Sequence, residues 1–247
     1  AIHSPVLLLA LACAKQAPPG DTASLVDSAA DTSADTADTA GDTGHTGTVD
    51  PGVCGVWSGV QRAGTAWTYV PSDAYVATYG MDGSFVTTVT AIDNDVVTLS
   101  TEGRYDGANG YFHFVRVDTW RCDDQGAWWT GSTAQSDGVS GSNTIAQEGW
   151  RSFEPGWLVR PWTLELGTSW ADSFALTSAV NGSEPEVVNA TCTSTVIDEQ
   201  NRVVGAGTFP ALLVDHACTG VSLDDPWLAE GTGLVENDDE LLERFVP

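Results

Sequence analysis

Basic residues are scarce in this sequence, and lysine is almost absent. The 247 residues include 9 lysines and arginines against 34 aspartates and glutamates, for a formal net charge of −25. Nucleic acids and anionic lipid head groups are bound by basic side chains that neutralise phosphate, so the composition excludes a nucleic-acid partner. The only lysine, Lys15, precedes the region that we expect to fold. That region therefore offers no lysine for a Schiff base or a serine–lysine dyad.

The sequence also lacks the short motifs of common enzymes and metal sites. It contains no Cys-x-x-Cys, no His-Glu-x-x-His, no Gly-x-Ser-x-Gly and no phosphate-binding loop. We therefore predict that the protein is not an enzyme, with no catalytic residue, no cofactor and no bound metal.

No apolar run is long enough to span a bilayer, which takes roughly 20 residues. The run PVLLLALAC (5–13) has the length of the apolar part of a secretion signal. Its ending, Leu11-Ala12-Cys13, resembles a bacterial lipobox, which predicts a lipoprotein signal peptide over residues 1–12 and lipidation of Cys13. No Met and no basic stretch precede the run, so we expect the signal to be truncated. An ordinary cleaved signal or a buried strand is the alternative.

The segment that follows predicts a disordered tether over residues 13–52. Residues 17–52 contain seven Asp, seven Thr and five Asp-Thr pairs. With no periodic apolar face to bury, such a segment cannot offset its loss of conformational entropy on folding. We expect it to hold a domain away from a membrane to which Cys13 is anchored. Ala14 after the lipobox favours an outer-membrane lipoprotein, facing either the periplasm or the exterior.

From residue 53 onward the pattern is that of a single all-β domain, 53–247. Short alternating segments are separated by polar turns, as in SFVTTVTAI (84–92), Asp93-Asn94-Asp95 and VVTLSTEGRY (96–105). No long window has a helical repeat. DELLERF (239–245) is the best helix candidate and also fits a last strand.

The four cysteines of this domain predict two disulfides. Cys192 and Cys218 are equidistant from Gly205, so a hairpin centred there places them opposite each other and leaves Cys54 for Cys122. Four buried free thiols are the alternative. Disulfides indicate an oxidising compartment.

Three segments carry a resemblance to a known group. They are LELGTSW (164–170), GAGTFPALLV (205–214) and WLAEGTGLVEND (227–238). In this order they resemble bacterial envelope lipoproteins of a TapB-like group, related to lipoprotein-carrier (Lol-like) half-barrels. The resemblance covers residues 161–238. It implies one curved antiparallel sheet, an open half-barrel with Gly/Asp-rich hairpin turns, little helix and an apolar groove, and it transfers no catalytic residue.

Few residues remain for chemistry. His113 lies in an alternating strand and is expected to be a packed or rim residue, whereas His216 and Asp215 are neighbours that point to opposite sheet faces. The paired acids fall in predicted turns, where such residues form turns and carry solvated charge. These acids are Asp93/Asp95, Asp123/Asp124, Asp224/Asp225 and Asp238/Asp239/Glu240. A carboxylate-based hydrolase or a weak calcium site stays open as an alternative.

Tryptophan is the strongest remaining signal, with all ten in the predicted domain. Large aromatic side chains offer much apolar area to a ligand. The residues predicted to line a groove are Trp120, Trp128, Trp150, Trp162, Trp170 and Trp227. We therefore expect a lipid-anchored envelope protein that binds an apolar ligand, with a lipid, a glycan or a protein as its partner. A structural or adhesive surface lipoprotein without a cavity is the alternative.

Overall fold

The computed structural model describes residues 54–247, which are nearly all β-structure. The predicted signal peptide, Cys13 and the whole of the tether, 13–52, lie outside the described residues. A 3₁₀ turn (Val56–Ser58) precedes β1 (Ala66–Pro71), α1 (Asp73–Tyr79), β2 (Met81–Asp93), β3 (Val96–Gly107), β4 (Gly110–Asp123), β5 (Gly126–Ser140) and β6 (Asn143–Pro161). They are followed by β7 (Ser169–Val180), β8 (Glu186–Val204), β9 (Gly207–Thr219), β10 (Trp227–Ala229), β11 (Gly233–Glu236) and β12 (Glu240–Val246). No helix in this range is long and apolar enough to cross a membrane.

The strands form one antiparallel sheet that closes into a barrel. Each strand pairs with its neighbour along the chain, and β1 also pairs with β12, from Ala66 opposite Val246 to Pro71 opposite Glu240. The prediction of all-β antiparallel structure is confirmed, but the prediction of an open half-barrel is wrong. Closure removes the two edges that an open sheet would expose. The helix candidate at 239–245 supplies the closing strand, β12.

The hairpin turns and both cysteine pairs lie where the sequence placed them. Asn94-Asp95 joins β2 to β3, and the turn at Gly205 joins β8 to β9. In the resulting register Cys192 lies directly opposite Cys218, and the two form a disulfide with their Cα atoms 4.0 Å apart. A second disulfide joins Cys54 to Cys122.

Alternating side chains of each strand point into the barrel, as the period of a β-strand requires. On β4 the inward set includes Phe112, Phe114 and Cys122, which are all buried. A first aromatic cluster spans β1–β4 and includes Tyr69, Phe85 and Tyr105. The second cluster spans β5–β9 and is built around Trp129, Phe153, Trp157 and Phe174. The two clusters flank the space described below.

The segment before β1 closes one end of the barrel. Gly59 has φ +69°, and a Cβ there would collide with the carbonyl oxygen of Thr232 in the β10–β11 hairpin. Gly233 has φ +84°, and its Cβ would lie 2.6 Å from the carbonyl oxygen of Ser58. The two backbones meet where only hydrogen atoms fit.

We expect the variant Gly59→Ala to lower the free energy of unfolding by about 2 kcal/mol, since the side chain must both adopt positive φ and displace Thr232. Urea denaturation followed by tryptophan fluorescence measures the change. Gly182→Ala is the matched control, with φ +70° and nothing within 4 Å of the added Cβ. We expect a loss of about 1 kcal/mol there. Equal losses in the two variants would contradict the close contact.

Candidate functional site

The interior of the barrel contains a central cavity of about 200 Å³ between the two aromatic clusters. Tyr75 of α1, the loop between β9 and β10 and the loop between β11 and β12 line it at one end of the barrel. Arg160 of β6 lines it deeper, and that side chain reaches Ser58 of the segment closing the opposite end. The cavity therefore lies along the inside of the barrel rather than on its surface.

Aromatic rings form two facing walls of the cavity. Tyr105 and Phe114 stack with ring centroids 6.1 Å apart on the side of the first cluster. Trp129 and Trp157 lie 6.1 Å apart on the side of the second. Burial raises the pKa of the Tyr105 hydroxyl, so this phenol stays neutral. Such walls suit the flat or apolar part of a small molecule.

Two charged residues of β4 enter the same space. Arg116 donates from Nε to Oδ2 of Asp118 over 2.8 Å, and both side chains line the cavity. Along the inward face of β4, Phe112 and Phe114 are thus followed by a part-buried ion pair and then by Trp120. Asp118 is only 5% exposed, and within residues 54–247 its Oδ1 atom has no hydrogen-bond partner.

A second unsatisfied group faces the cavity from β6. Trp157 is 5% exposed, and its Nε1–H has no acceptor in the described part of the chain. A buried donor or acceptor without a partner costs about 1–3 kcal/mol of stability. Asp118 and Trp157, which both line the cavity, therefore each carry one buried polar atom without a partner among the described residues.

Arg160 brings a positive charge to the deep part of the cavity. Its Nη1 donates to the carbonyl oxygen of Ser58 over 3.2 Å, and its guanidinium lies 5.3 Å from the ring centroid of Trp120. Burial lowers its pKa, but a guanidinium keeps its proton in proteins. Among the described residues, no carboxylate forms an ion pair with Arg160.

Three acids that the sequence assigned to solvated turns also line the cavity: Asp224, Asp239 and Glu240. For these residues the expectation of purely solvated turn acids is wrong, because closure of the barrel directs their loops over its interior. Burial raises the pKa of Glu240 to about 7, against the opposing effects of Arg116 and a hydrogen bond from Asn237. Near neutral pH this carboxyl group is therefore only partly ionised.

His216 lines the cavity from β9. Its Nδ1 is 2.8 Å from the hydroxyl oxygen of Ser194, and its ring packs edge-on against Trp157 at 5.7 Å. Burial lowers the pKa of the imidazole to about 4, so it is neutral at pH 7. Ser194 is 1% exposed, which hides its hydroxyl from a substrate. The pair therefore positions the imidazole and is not arranged as a nucleophile with its base.

No family model, no curated protein and no solved structure matches the chain. The resemblance to TapB-like lipoproteins stays a prediction.

The six tryptophans predicted to share a groove are distributed over the barrel. Trp120 lines the central cavity, and Trp150 covers Ala179 in a groove on the outer surface. The other four make local contacts instead. Trp128 donates to Asp123 and stacks on Arg121, and Trp227 stacks on Arg202. Trp162 packs on Gly55, and Trp170 donates to the carbonyl oxygen of Leu158. Trp129 and Trp157, which were not in the predicted set, complete the wall.

The outer surface carries two further features. The groove beside Trp150 has a volume of about 580 Å³ and contains Val115 and Val117. His113 lies on this outer face of β4, where Nδ1 is 2.9 Å from Asp137 and Nε2 is 3.5 Å from Glu102. Asp137 and Glu102 raise the pKa of His113.

Within residues 54–247 no three His, Cys, Asp or Glu side chains are placed to hold a metal ion.

One signal in the sequence points to the cavity. In YFHFVRVDTWRC the residues on the face of Phe112 and Phe114 continue as Arg116, Asp118 and Trp120. Charged residues on the buried face of a strand are paired or functional, because burying an isolated charge is costly. No comparable pattern in the sequence marks Arg160, His216 or Glu240 as cavity residues, because they reach β4 only through the pairing of distant strands.

Proposed function

We propose that this protein is a cell-envelope binding protein that takes a small, partly apolar ligand into the centre of its barrel. The observation that supports the proposal is the combination, in one interior cavity, of aromatic walls with an unsatisfied acceptor on Asp118 and an unsatisfied donor on Trp157. A core evolved only for stability would fill such a space, since voids and unpaired polar groups both destabilise. A bound molecule supplies the missing contacts.

The size of the cavity limits the ligand. A volume of about 200 Å³ exceeds the roughly 150 Å³ of an apolar cavity that holds benzene and is below the roughly 300–1,000 Å³ of drug-sized sites. We infer a molecule about the size of one aromatic amino acid, smaller than a lipid. The partner class in this proposal is therefore narrower than the lipid, glycan or protein expected from the sequence.

The proposed location combines two observations. The two disulfides fit an extracellular or envelope protein. The lipobox-like Leu11-Ala12-Cys13 and the Asp/Thr-rich segment after it support a lipid anchor on Cys13 and a tether to the outer membrane. The barrel then captures its ligand close to a membrane.

Occupancy of the cavity is the first test. We expect the full chain, isolated from the envelope under mild conditions, to show a native mass above its denatured mass by one molecule of roughly 100–250 Da, a range set by the cavity. The variant Phe114→Trp, which enlarges a side chain of the cavity wall, should abolish the difference, and Ala134→Trp, outside the central cavity, is the control that should keep it. Equal native and denatured masses for the natural chain, with no small molecule restoring a difference, would favour the structural or adhesive role.

A second function has one observation in its favour. Glu240, with a pKa of about 7, shares the cavity with Asp118, which is paired with Arg116, and two carboxyl groups in one site can perform glycoside hydrolysis. Nitrophenyl glycosides of the common monosaccharides test this role. Turnover that disappears in both Glu240→Gln and Asp118→Asn would establish a hydrolase, and absence of turnover in the natural chain would remove it.

A further inference from the structure

We propose that the ligand of the central cavity is a small zwitterion of the amino-acid class, with its ammonium group on Asp118 and its carboxylate on Arg160. This inference rests on the proposed function and specifies the chemistry of the same site. It follows from two buried charges of opposite sign that line one cavity and do not pair with each other.

Asp118 provides the site for the ammonium group. An ionised carboxylate only accepts hydrogen bonds, and Arg116 satisfies Oδ2 while Oδ1 has no partner among the described residues. An ammonium group donates up to three hydrogen bonds and carries the charge that the carboxylate attracts. Asp224, Asp239 and Glu240 line the same cavity and add negative potential. An anion placed at Asp118 would meet repulsion from all of them.

Arg160 provides the site for the carboxylate. A guanidinium has five N–H donors in a planar fork that matches a carboxylate. Within residues 54–247 the guanidinium donates one hydrogen bond, to Ser58, and packs on Trp120, so further N–H donors remain for a carboxylate. Trp157 Nε1–H adds an unsatisfied donor to the cavity. A purely cationic ligand would leave this positive charge buried without a counter-ion, at a cost in stability.

The small size of the cavity brings the two charges within reach of one molecule. Asp118 and Trp120 are alternate residues on the inward face of β4, which places their Cα atoms roughly 6–7 Å apart. Arg160 packs on the ring of Trp120, lines the same cavity as Asp118 and forms no ion pair with it among the contacts of residues 54–247. A molecule carrying both charges bridges this gap. Its side chain then lies between Tyr105 and Phe114 on one wall and Trp129 on the other.

Four probes that share a phenylethyl group and differ in the charged groups attached to it test the assignment. They are L-phenylalanine, 2-phenylethylamine, 3-phenylpropanoate and 2-phenylethanol, titrated calorimetrically at pH 7 into full chain freed of any bound molecule. We expect phenylalanine to bind at least tenfold more tightly than each of the others. Asp118→Asn should lower the affinity for phenylalanine and phenylethylamine about tenfold and leave that for phenylpropanoate unchanged. Arg160→Gln should lower the affinity for phenylalanine and phenylpropanoate about tenfold and leave that for phenylethylamine unchanged.

Outer-face variants with the same chemical changes serve as controls. Asp137→Asn and Arg121→Gln alter residues outside the cavity and should change no affinity. Arg160→Lys keeps the charge and loses the fork, so a partial loss for phenylalanine supports the assignment if Arg160→Gln does not fold.

The outcomes separate the two proposals. Equal binding of 2-phenylethanol and phenylalanine would overturn the zwitterion while supporting a small-molecule site. Preference for phenylethylamine over phenylalanine would likewise overturn it in favour of a cation. Failure of all four probes, together with a native mass equal to the denatured mass, would overturn the proposed function as well.

Discussion

Replacing Cys54 and Cys122 together by alanine should lower the free energy of unfolding by about 4 kcal/mol. The disulfide closes a loop of 68 residues, and loop-closure entropy predicts roughly this loss. Cys54 is fully buried, so alanine is chosen to avoid burying a hydroxyl group. The link also holds the segment before β1 under the barrel, where Ser58 accepts the hydrogen bond from Arg160. We therefore expect weaker ligand binding in addition to lower stability.

Urea denaturation of the variant, followed by tryptophan fluorescence, measures the effect. Replacing Cys192 and Cys218 by alanine is the matched control, because that disulfide closes a loop of only 26 residues and lies away from Ser58. We expect a loss of about 3.5 kcal/mol and unchanged ligand affinity. A loss below about 1 kcal/mol on removal of Cys54–Cys122 would show that the segment is held by its packing alone.

The sequence predicted the hairpins and the cysteine pairing correctly, but it did not predict that the sheet closes into a barrel. Turn residues and alternating patterns are local properties, which is why the hairpins at Asn94-Asp95 and Gly205 and the pairing of Cys192 with Cys218 follow from the chain. Closure of the barrel depends on β1 pairing with β12, two strands separated by most of the domain. The pattern in residues 239–245 is equally compatible with a helix. No local signal distinguishes an open sheet from a closed one.

The candidate site was less predictable for the same reason. Trp129 rather than Trp128 faces the cavity, and this choice depends on the register shifts that interrupt the pairing of β5 with β6. A shift of one residue reverses the face of every following side chain. Arg160, His216 and Glu240 reach the cavity from strands far apart in sequence. Only Arg116 and Asp118 carry a local signal, as charges on a buried strand face.

The cavity combines several groups that reduce stability. Burial shifts the pKa of Glu240 to about 7 and that of His216 to about 4, each away from its ordinary value and towards the neutral form. Natural proteins keep such costs where binding or catalysis requires them. The two pKa shifts change the free energy of unfolding with pH in opposite directions. Glu240 favours the folded state at low pH, while His216 favours it at higher pH.

The second large effect should come from Glu240→Gln, which we expect to raise the free energy of unfolding by about 2–3 kcal/mol at pH 8 and to leave it nearly unchanged at pH 4. In the unfolded chain the carboxyl group ionises near its ordinary pKa of 4.5, and in the folded protein near 7. Between these values the folded state holds one proton more, so stability falls as pH rises from 4.5 to 7. Glutamine stays neutral and retains an acceptor for Asn237.

Urea denaturation at pH 4, 6 and 8 tests this dependence, with Glu243→Gln as the control because that residue lies on the same strand and is exposed. The natural chain should show a nearly flat profile between pH 4.5 and 6.5, where the loss from Glu240 offsets the gain from His216. In Glu240→Gln the gain from His216 remains alone, so stability should rise across that interval. A variant no more stable than the natural chain at pH 8 would show that Arg116 compensates the buried carboxylate fully. The acid at Glu240 would then be a structural ion-pair partner rather than a group kept for the ligand.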